Sequence, residues 1–231
     1  MFLCTILLLY WLFINRNVIG GFGGINDIKG LLILNSSHSG YNFSNWHYSI
    51  YAIAFLLLLI ISLPNFNIQW LVRMNRKSYL RFVIREGSLL VAIFVTCFIS
   101  INMLLNTIYV NFSLLIYSNY FIGSIIQWVL LYLYYAMVGM LFILVYILFS
   151  SKTKALFMTV GVLTSLLVIK VLFGMWTLIN DTIIFNDLFI KGLDLFGLLF
   201  KVIKNTLVLF CLIFISYEIF LTKDVFNNAD A

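Results

Sequence analysis

From Ile122 to Phe149 the sequence contains no charged side chain, and five more apolar runs, one of them short, lie elsewhere in the chain. A hydrophobic stretch of about 18 or more residues reads as a transmembrane helix, because lipid then replaces water as the solvent for its side chains. Only 10% of the 231 residues are charged and 64% are hydrophobic. Soluble domains carry about a quarter charged residues, so a water-facing surface cannot be built from this composition. Backbone polar groups in lipid must be satisfied within the segment or by a closed barrel. The runs are continuous rather than alternating, which favours helices over barrel strands. The fold class expected is therefore all-α, a single polytopic transmembrane domain over residues 1–231.

Six spans are predicted, at about 1–19, 46–63, 88–105, 122–149, 155–176 and 206–221. The first is short: Met1 to Ile14 covers only about 21 Å of a hydrocarbon core about 30 Å thick. It must extend to about Ile19 or thin the bilayer. It lacks a basic leading region and reads as an uncleaved anchor. A Gly-rich loop follows from Gly20 to Asn45, with one short apolar element at Leu31 to Leu34. Trp46, His47 and Tyr48 suit a headgroup layer at the entry to the second span, and Pro64, the only proline, ends it. Cys4, Cys97 and Cys211 all fall inside apolar runs and read as small buried hydrophobes, not disulfide partners or metal ligands.

Basic residues set the orientation. Arg73, Arg76, Lys77, Arg81 and Arg85 lie between spans two and three, Lys152 and Lys154 between spans four and five, and Lys223 in the tail. They outnumber Arg16, Lys29, Lys191, Lys201 and Lys204 on the opposite side. Both termini and the arginine loop are expected in the cytosol, in a multi-pass plasma-membrane protein.

Two segments carry the functional reading. In the stretch from Trp70 to Glu86, Arg73, Arg76, Lys77, Arg81 and Arg85 share one half of a helical circumference. This is either an anchor for anionic headgroups or a helix that docks an acidic partner. Glu86 is expected at the N-terminus of the third span, where a carboxylate suits the helix dipole. In the stretch from Asn186 to Asn205, Asp187, Lys191, Asp194, Lys201 and Lys204 form a second stripe, with Asp187–Lys191 and Lys191–Asp194 as the expected pairs. That segment is either an amphipathic helix resting on the outer surface or a re-entrant outer gate, with Gly192 and Gly197 allowing a bend. Lys170 either snorkels to the outer interface or contacts an ion or substrate. Asn102, with Thr96 and Ser100 near it, reads as an interhelical hydrogen-bond partner or a pathway residue. The cluster Tyr132, Tyr134 and Tyr135 is packing or a cavity wall.

Several activities lack their residues. The two histidines, His38 and His47, lie on or near the first outer loop, which disfavours haem between spans. There is no H-E-x-x-H, no G-x-S-x-G, no pair of intramembrane carboxylates and no P-loop. No catalytic residue, metal site or resident cofactor is expected, and no nucleic-acid partner.

Six spans, a basic loop between the second and third, and an amphipathic outer segment between the fifth and sixth resemble the membrane subunit of a type-2 ABC exporter. The similarity is to the small permeases of peptide or bacteriocin export and self-immunity. The stretch W-L-V-R-M-N-R-K-S-Y-L-R-F, Trp70 to Phe82, is similar to their first cytoplasmic loop. The resemblance implies a permease paired with a second membrane subunit, in a homo- or heterodimer, and docked to a separate cytosolic ABC ATPase. ATP and magnesium would be bound on that partner. The basic loop would act as the coupling helix, and residues 186–205 as the outer re-entrant element. Two other readings stay open: an integral immunity or assembly protein that does not transport, and an accessory subunit of a membrane respiratory complex.

Overall fold

The computed structural model describes residues 2–36, 40–64, 75–174, 178–182, 184–192 and 194–222. Among them the regular structure is all helix, apart from one isolated bridge between Ile25 and Val110. Five segments are long and apolar enough to cross a membrane. The first is Ser44–Ser62, formed by α3 (Ser44–Tyr48) and α4 (Ile50–Ser62) with a break at Ser49. The others are α5 (Arg76–Tyr109), α7 (Tyr120–Phe149), α8 (Lys152–Phe173) and α10 (Leu195–Thr222). Shorter helices join them: α1 (Phe2–Asn15), α2 (Ile28–Ser36), α6 (Phe112–Tyr117) and α9 (Phe185–Lys191). The protein is thus an all-α, polytopic membrane protein.

α7 is the centre. Its side chains are apolar around the whole circumference because other helices cover most of it, with Leu131, Tyr135 and Phe142 fully buried. α8 and α10 show the opposite arrangement. In α8 only Ala155, Thr159 and Leu163 are buried, while Phe157, Val168, Val171 and Phe173 lie exposed. α10 exposes Leu207, Phe210 and Phe214. Apolar patches of this extent are foreign to a soluble monomer but ordinary where lipid is the solvent.

One end of the bundle is fixed by basic side chains on helix C-termini. The ammonium of Lys152 donates to Ile60 O at 2.9 Å and to Leu63 O, where α4 ends. Arg76 Nη1 donates to Leu221 O at 3.4 Å, where α10 ends. Both place positive charge against unpaired carbonyls and the negative pole of a helix. A left-handed residue, Ser150, turns the chain from α7 into α8, and Ser151 caps α8 by accepting from Lys154 N. We call this the basic end.

The opposite, loop end is closed by the segment after α1. Gly23 N donates to Ile108 O, Ile25 N to Tyr109 O, and Asn111 N to Ile25 O, so the loop caps α5 with backbone hydrogen bonds. The apolar element expected at Leu31 to Leu34 lies inside α2 and is buried at both of those residues. α9 rests on α7 at Gly123, where a Cβ would overlap the Leu188 side chain.

Three expectations change. The first span ends at Asn15 rather than about Ile19, and it runs beside part of α5 only. Cys4 Sγ lies 3.4 Å from Cys97 Sγ near the middle of α5, and the Trp11 ring stacks on Tyr109 at its end. At 1.5 Å per residue, α1 spans about 21 Å. Secondly, α5 begins at Arg76, so Glu86 lies inside a helix, paired with Arg85 at 3.2 Å, and not at a helix N-terminus. At 34 residues, α5 is about 51 Å long and projects beyond a hydrocarbon core of about 30 Å. Thirdly, residues 186–205 are not one stripe on one helix. Gly192, at a φ of +81°, separates α9 from α10, and the second half of that segment forms the first turns of the last span.

Candidate functional site

Three places concentrate polar chemistry. The first is the start of α5 at the basic end. Lys77, Arg81 and Arg85 recur every four residues and are exposed on one face. Tyr79, Leu80 and Val83 occupy the other face and are buried, with the Tyr79 ring stacked on Phe220 of α10. The amphipathic division read from the sequence is therefore realised, but on the projecting end of a span rather than on a detached loop helix. Arg85 lies over the Phe82 ring at 5.5 Å, and Arg81 Nε donates to Lys77 O at 3.3 Å. Arg76 departs from the set, because it turns inward to cap α10. Arg73 lies outside the described residues.

The second is the charged segment at the loop end. The lysines of α10 reach acids on the preceding elements: Lys201 to Asp187 of α9 at 3.4 Å, and Lys204 to Asp181 of the 3₁₀ turn Leu178–Thr182 at 2.7 Å. Asp181 is almost wholly buried, and the pair fastens that turn to α10. Asp194 does not take part in a stripe. It caps α10, accepting from Gly197 N at 3.1 Å. The break at Gly192 puts Asp187 and Lys191 on α9 and leaves Asp194, Lys201 and Lys204 to α10, so the five residues do not share one helix, and the expected Asp187–Lys191 and Lys191–Asp194 pairs lie outside the described residues. Lys191 closes α9, and its side chain lies outside the described residues. A cavity of about 220 Å³, lined by Ile126, Asp187, Leu188 and Lys201, sits between α7, α9 and α10.

The third is a pair of buried clusters in the loop-end half. Asn102 Oδ1 accepts from Trp11 Nε1 at 2.9 Å and from Asn106 Nδ2 at 2.9 Å. Asn102 Nδ2 donates to Asn35 Oδ1 at 2.9 Å and to the Tyr120 hydroxyl at 3.2 Å. One carboxamide thereby ties α1, α2, α5 and α7. Asn106 continues the cluster, its Oδ1 accepting from Asn35 Nδ2 at 3.2 Å. Beside it, His47 Nδ1 is 2.8 Å from the Tyr135 hydroxyl, and the Tyr134 hydroxyl donates to His47 O at 3.2 Å. Phe55 and Phe94 pack on the Tyr135 ring. In the adjoining loop, burial pushes the Tyr41 phenol well above its ordinary value, so it stays neutral.

Lys170 joins helices. Its ammonium donates to Ser44 Oγ and to Asn45 Oδ1 (3.2 Å), and lies 5.8 Å from the centre of the Tyr48 ring. It links α8 to α3. Asn102 acts as an interhelical hydrogen-bond hub. Among the tyrosines, Tyr134 and Tyr135 are packed inside, while Tyr132 lines a cleft. Sequence reasoning missed Asn35 and Asn106. The available signal was the spacing of Asn102 and Asn106, one helical turn apart on an apolar helix.

Among the described residues, no group of three or more His, Cys, Asp or Glu side chains is placed to hold a metal ion. Comparison with protein-family models, with curated proteins and with solved structures finds no match to the chain.

Proposed function

We propose that this chain is the membrane-embedded subunit of a larger assembly, and that it docks an acidic cytosolic partner on the projecting start of α5. The observation that carries this reading is the exposed stripe of Lys77, Arg81 and Arg85 on a helix too long to end inside the bilayer. The positive-inside bias puts that end, with Lys152 and Lys154, on the cytosolic side. A rigid lever continuous with a span suits the transmission of movement from a soluble subunit into the membrane. In the form suggested by the resemblance to type-2 ABC exporters, the partner is an ATPase, a second permease subunit completes the pathway, and the cargo is a peptide or similar amphiphile.

A second reading, a non-transporting immunity, assembly or respiratory accessory subunit, is favoured by the filled interior. Phe94, Tyr135 and Phe142 are fully buried around α7, and Asn35, Asn102 and Asn106 bond to one another, as do His47 and Tyr135. On that reading the same stripe docks a partner that does not hydrolyse ATP.

The triple substitution Lys77→Glu, Arg81→Glu, Arg85→Glu tests the docking. These side chains are exposed, so helicity and thermal midpoint should stay within error. Three reversals at an interface rim weaken association by about 100-fold, at roughly 1 kcal/mol each. The expected result, in neutral-lipid nanodiscs, is loss of a stoichiometric soluble subunit that co-purifies with the wild-type chain. ATP hydrolysis by that subunit selects the exporter reading, and its absence selects the second. Retention of the subunit by the triple variant overturns the docking claim.

A further inference from the structure

Cys4 and Cys97, which read singly from the sequence as small buried hydrophobes, meet where α1 runs beside α5. Their sulfurs are 3.4 Å apart, and both side chains are half-buried rather than enclosed. A disulfide holds its sulfurs about 2.0 Å apart, so closure moves each of them by less than about 1 Å. The depth of the pair follows from α5. Its charged start gives way to apolar sequence at Ser88, and the helix ends at Tyr109. Cys97 therefore lies about 14 Å from the first and about 18 Å from the second, near the middle of a hydrocarbon core about 30 Å thick. Ile93, one turn before Cys97, is 48% exposed, so lipid reaches this side of α5.

That depth decides which oxidant can act. Oxidation by a dissolved reagent proceeds through a thiolate, and a thiolate in the acyl-chain layer is an unpaired charge in lipid. Transfer of a hydrogen atom moves no charge and escapes that cost. Oxidised acyl chains supply the acceptor at this depth, a lipid peroxyl radical. We propose that Cys4 and Cys97 form a two-electron oxidation site for lipid peroxyl radicals, and that the product is a disulfide tying α1 to α5. Each thiol gives one hydrogen atom to one peroxyl radical. Two S–H bonds break, two O–H bonds form, and the two thiyl radicals combine as the S–S bond. The two peroxyl radicals leave as two lipid hydroperoxides. Trp11, seven residues from Cys4 and so on the same face of α1, is already bonded to Asn102 of α5. The disulfide adds a second fixed point, so α1 is held at both ends of this contact.

The proposal is independent of the docking surface, and its test needs no partner. The purified, reduced chain carrying Cys211→Ala is placed in vesicles of dilinoleoyl phosphatidylcholine with a metal chelator. A lipid-soluble azo initiator generates peroxyl radicals in one arm, and hydrogen peroxide is added to the water in the other. The protein is then denatured and alkylated, and its intact mass and peptide map are recorded. In the initiator arm both cysteines should lose alkylation together. The mass should fall by two hydrogens, dithiothreitol should restore it, and a Cys4–Cys97 linked peptide should be recovered. Hydrogen peroxide should give the same product at least about tenfold more slowly, because its route passes through the thiolate. Full alkylation of both cysteines after the initiator overturns the proposal. Sulfonic acids or lipid thioethers in place of the linked peptide overturn it as well. Equal rates in the two arms overturn the lipid-phase route.

Discussion

Replacing Asn102 with Leu is expected to lower the stability of the solubilised protein by about 3 kcal/mol. Leu conserves most of the volume, so the loss reports polar contacts rather than a cavity. Four side-chain hydrogen bonds disappear: from Trp11, to Asn35, to Tyr120 and from Asn106. Interhelical hydrogen bonds in membranes contribute only about 0.6 kcal/mol each on average. The larger part arises because Trp11 Nε1 is stranded in a buried site, at about 1–3 kcal/mol. Asn35 Oδ1 keeps the bond from Asn42 Nδ2 at 3.3 Å, and Asn106 Nδ2 keeps the backbone oxygen of residue 102 at 2.8 Å. Unfolding in mixed micelles followed by circular dichroism measures the loss. Oxidative cross-linking of Cys4 to Cys97 provides a local readout, because their sulfurs are 3.4 Å apart only while α1 is seated on α5. A change below about 1 kcal/mol with undiminished cross-linking would show that the cluster does not hold α1.

Tyr135→Ala should cost still more, about 4 kcal/mol, with Tyr135→Phe near 1 kcal/mol. The ring is fully buried and touches Phe55, Phe94, Tyr134 and His47. Truncation opens a cavity among these rings, whereas Phe keeps the ring and leaves only His47 Nδ1 without its 2.8 Å partner. The ratio of the two losses separates packing from hydrogen bonding. Equal losses in the two variants would mean that the hydroxyl, and not the ring, sets the stability of this region.

Much of the fold was legible because hydropathy is a long-range average. The spans at 46–63, 122–149 and 155–176 fall close to Ser44–Ser62, Tyr120–Phe149 and Lys152–Phe173. The helix ends were less legible. The third and sixth expected spans began at Ser88 and Thr206, where charge gives way to apolar sequence. A helix does not stop where its solvent changes, and α5 and α10 begin at Arg76 and Leu195. The same effect moved Glu86 from a helix terminus to a helix interior. The stripe of Asp187, Lys191, Asp194, Lys201 and Lys204 was misread for a different reason. Periodicity assumes an unbroken helix, and one glycine at positive φ parts Asp187 and Lys191 on α9 from Asp194 and the lysines of α10. The asparagine cluster was the least legible feature. Asn35 and Asn102 are separated by 67 residues, and only the folding-back of the loop as α2 brings them together. The basic stripe needed only local periodicity, and for Lys77, Arg81 and Arg85 the exposure expected from it is what the structure has.

The account depends on the start of α5 and the loop end lying on opposite sides of the membrane, with the basic stripe in the cytosol. Cysteine labelling in cells tests this most directly. The native Cys4, Cys97 and Cys211 are replaced by Ala, and single cysteines are introduced as Lys77→Cys and Ser113→Cys, both at exposed positions. With a membrane-impermeant maleimide, Ser113→Cys should be labelled on intact cells and Lys77→Cys only after permeabilisation. Labelling of Lys77→Cys on intact cells would contradict the cytosolic docking surface. Labelling of both from the same side would contradict the span formed by α5 itself.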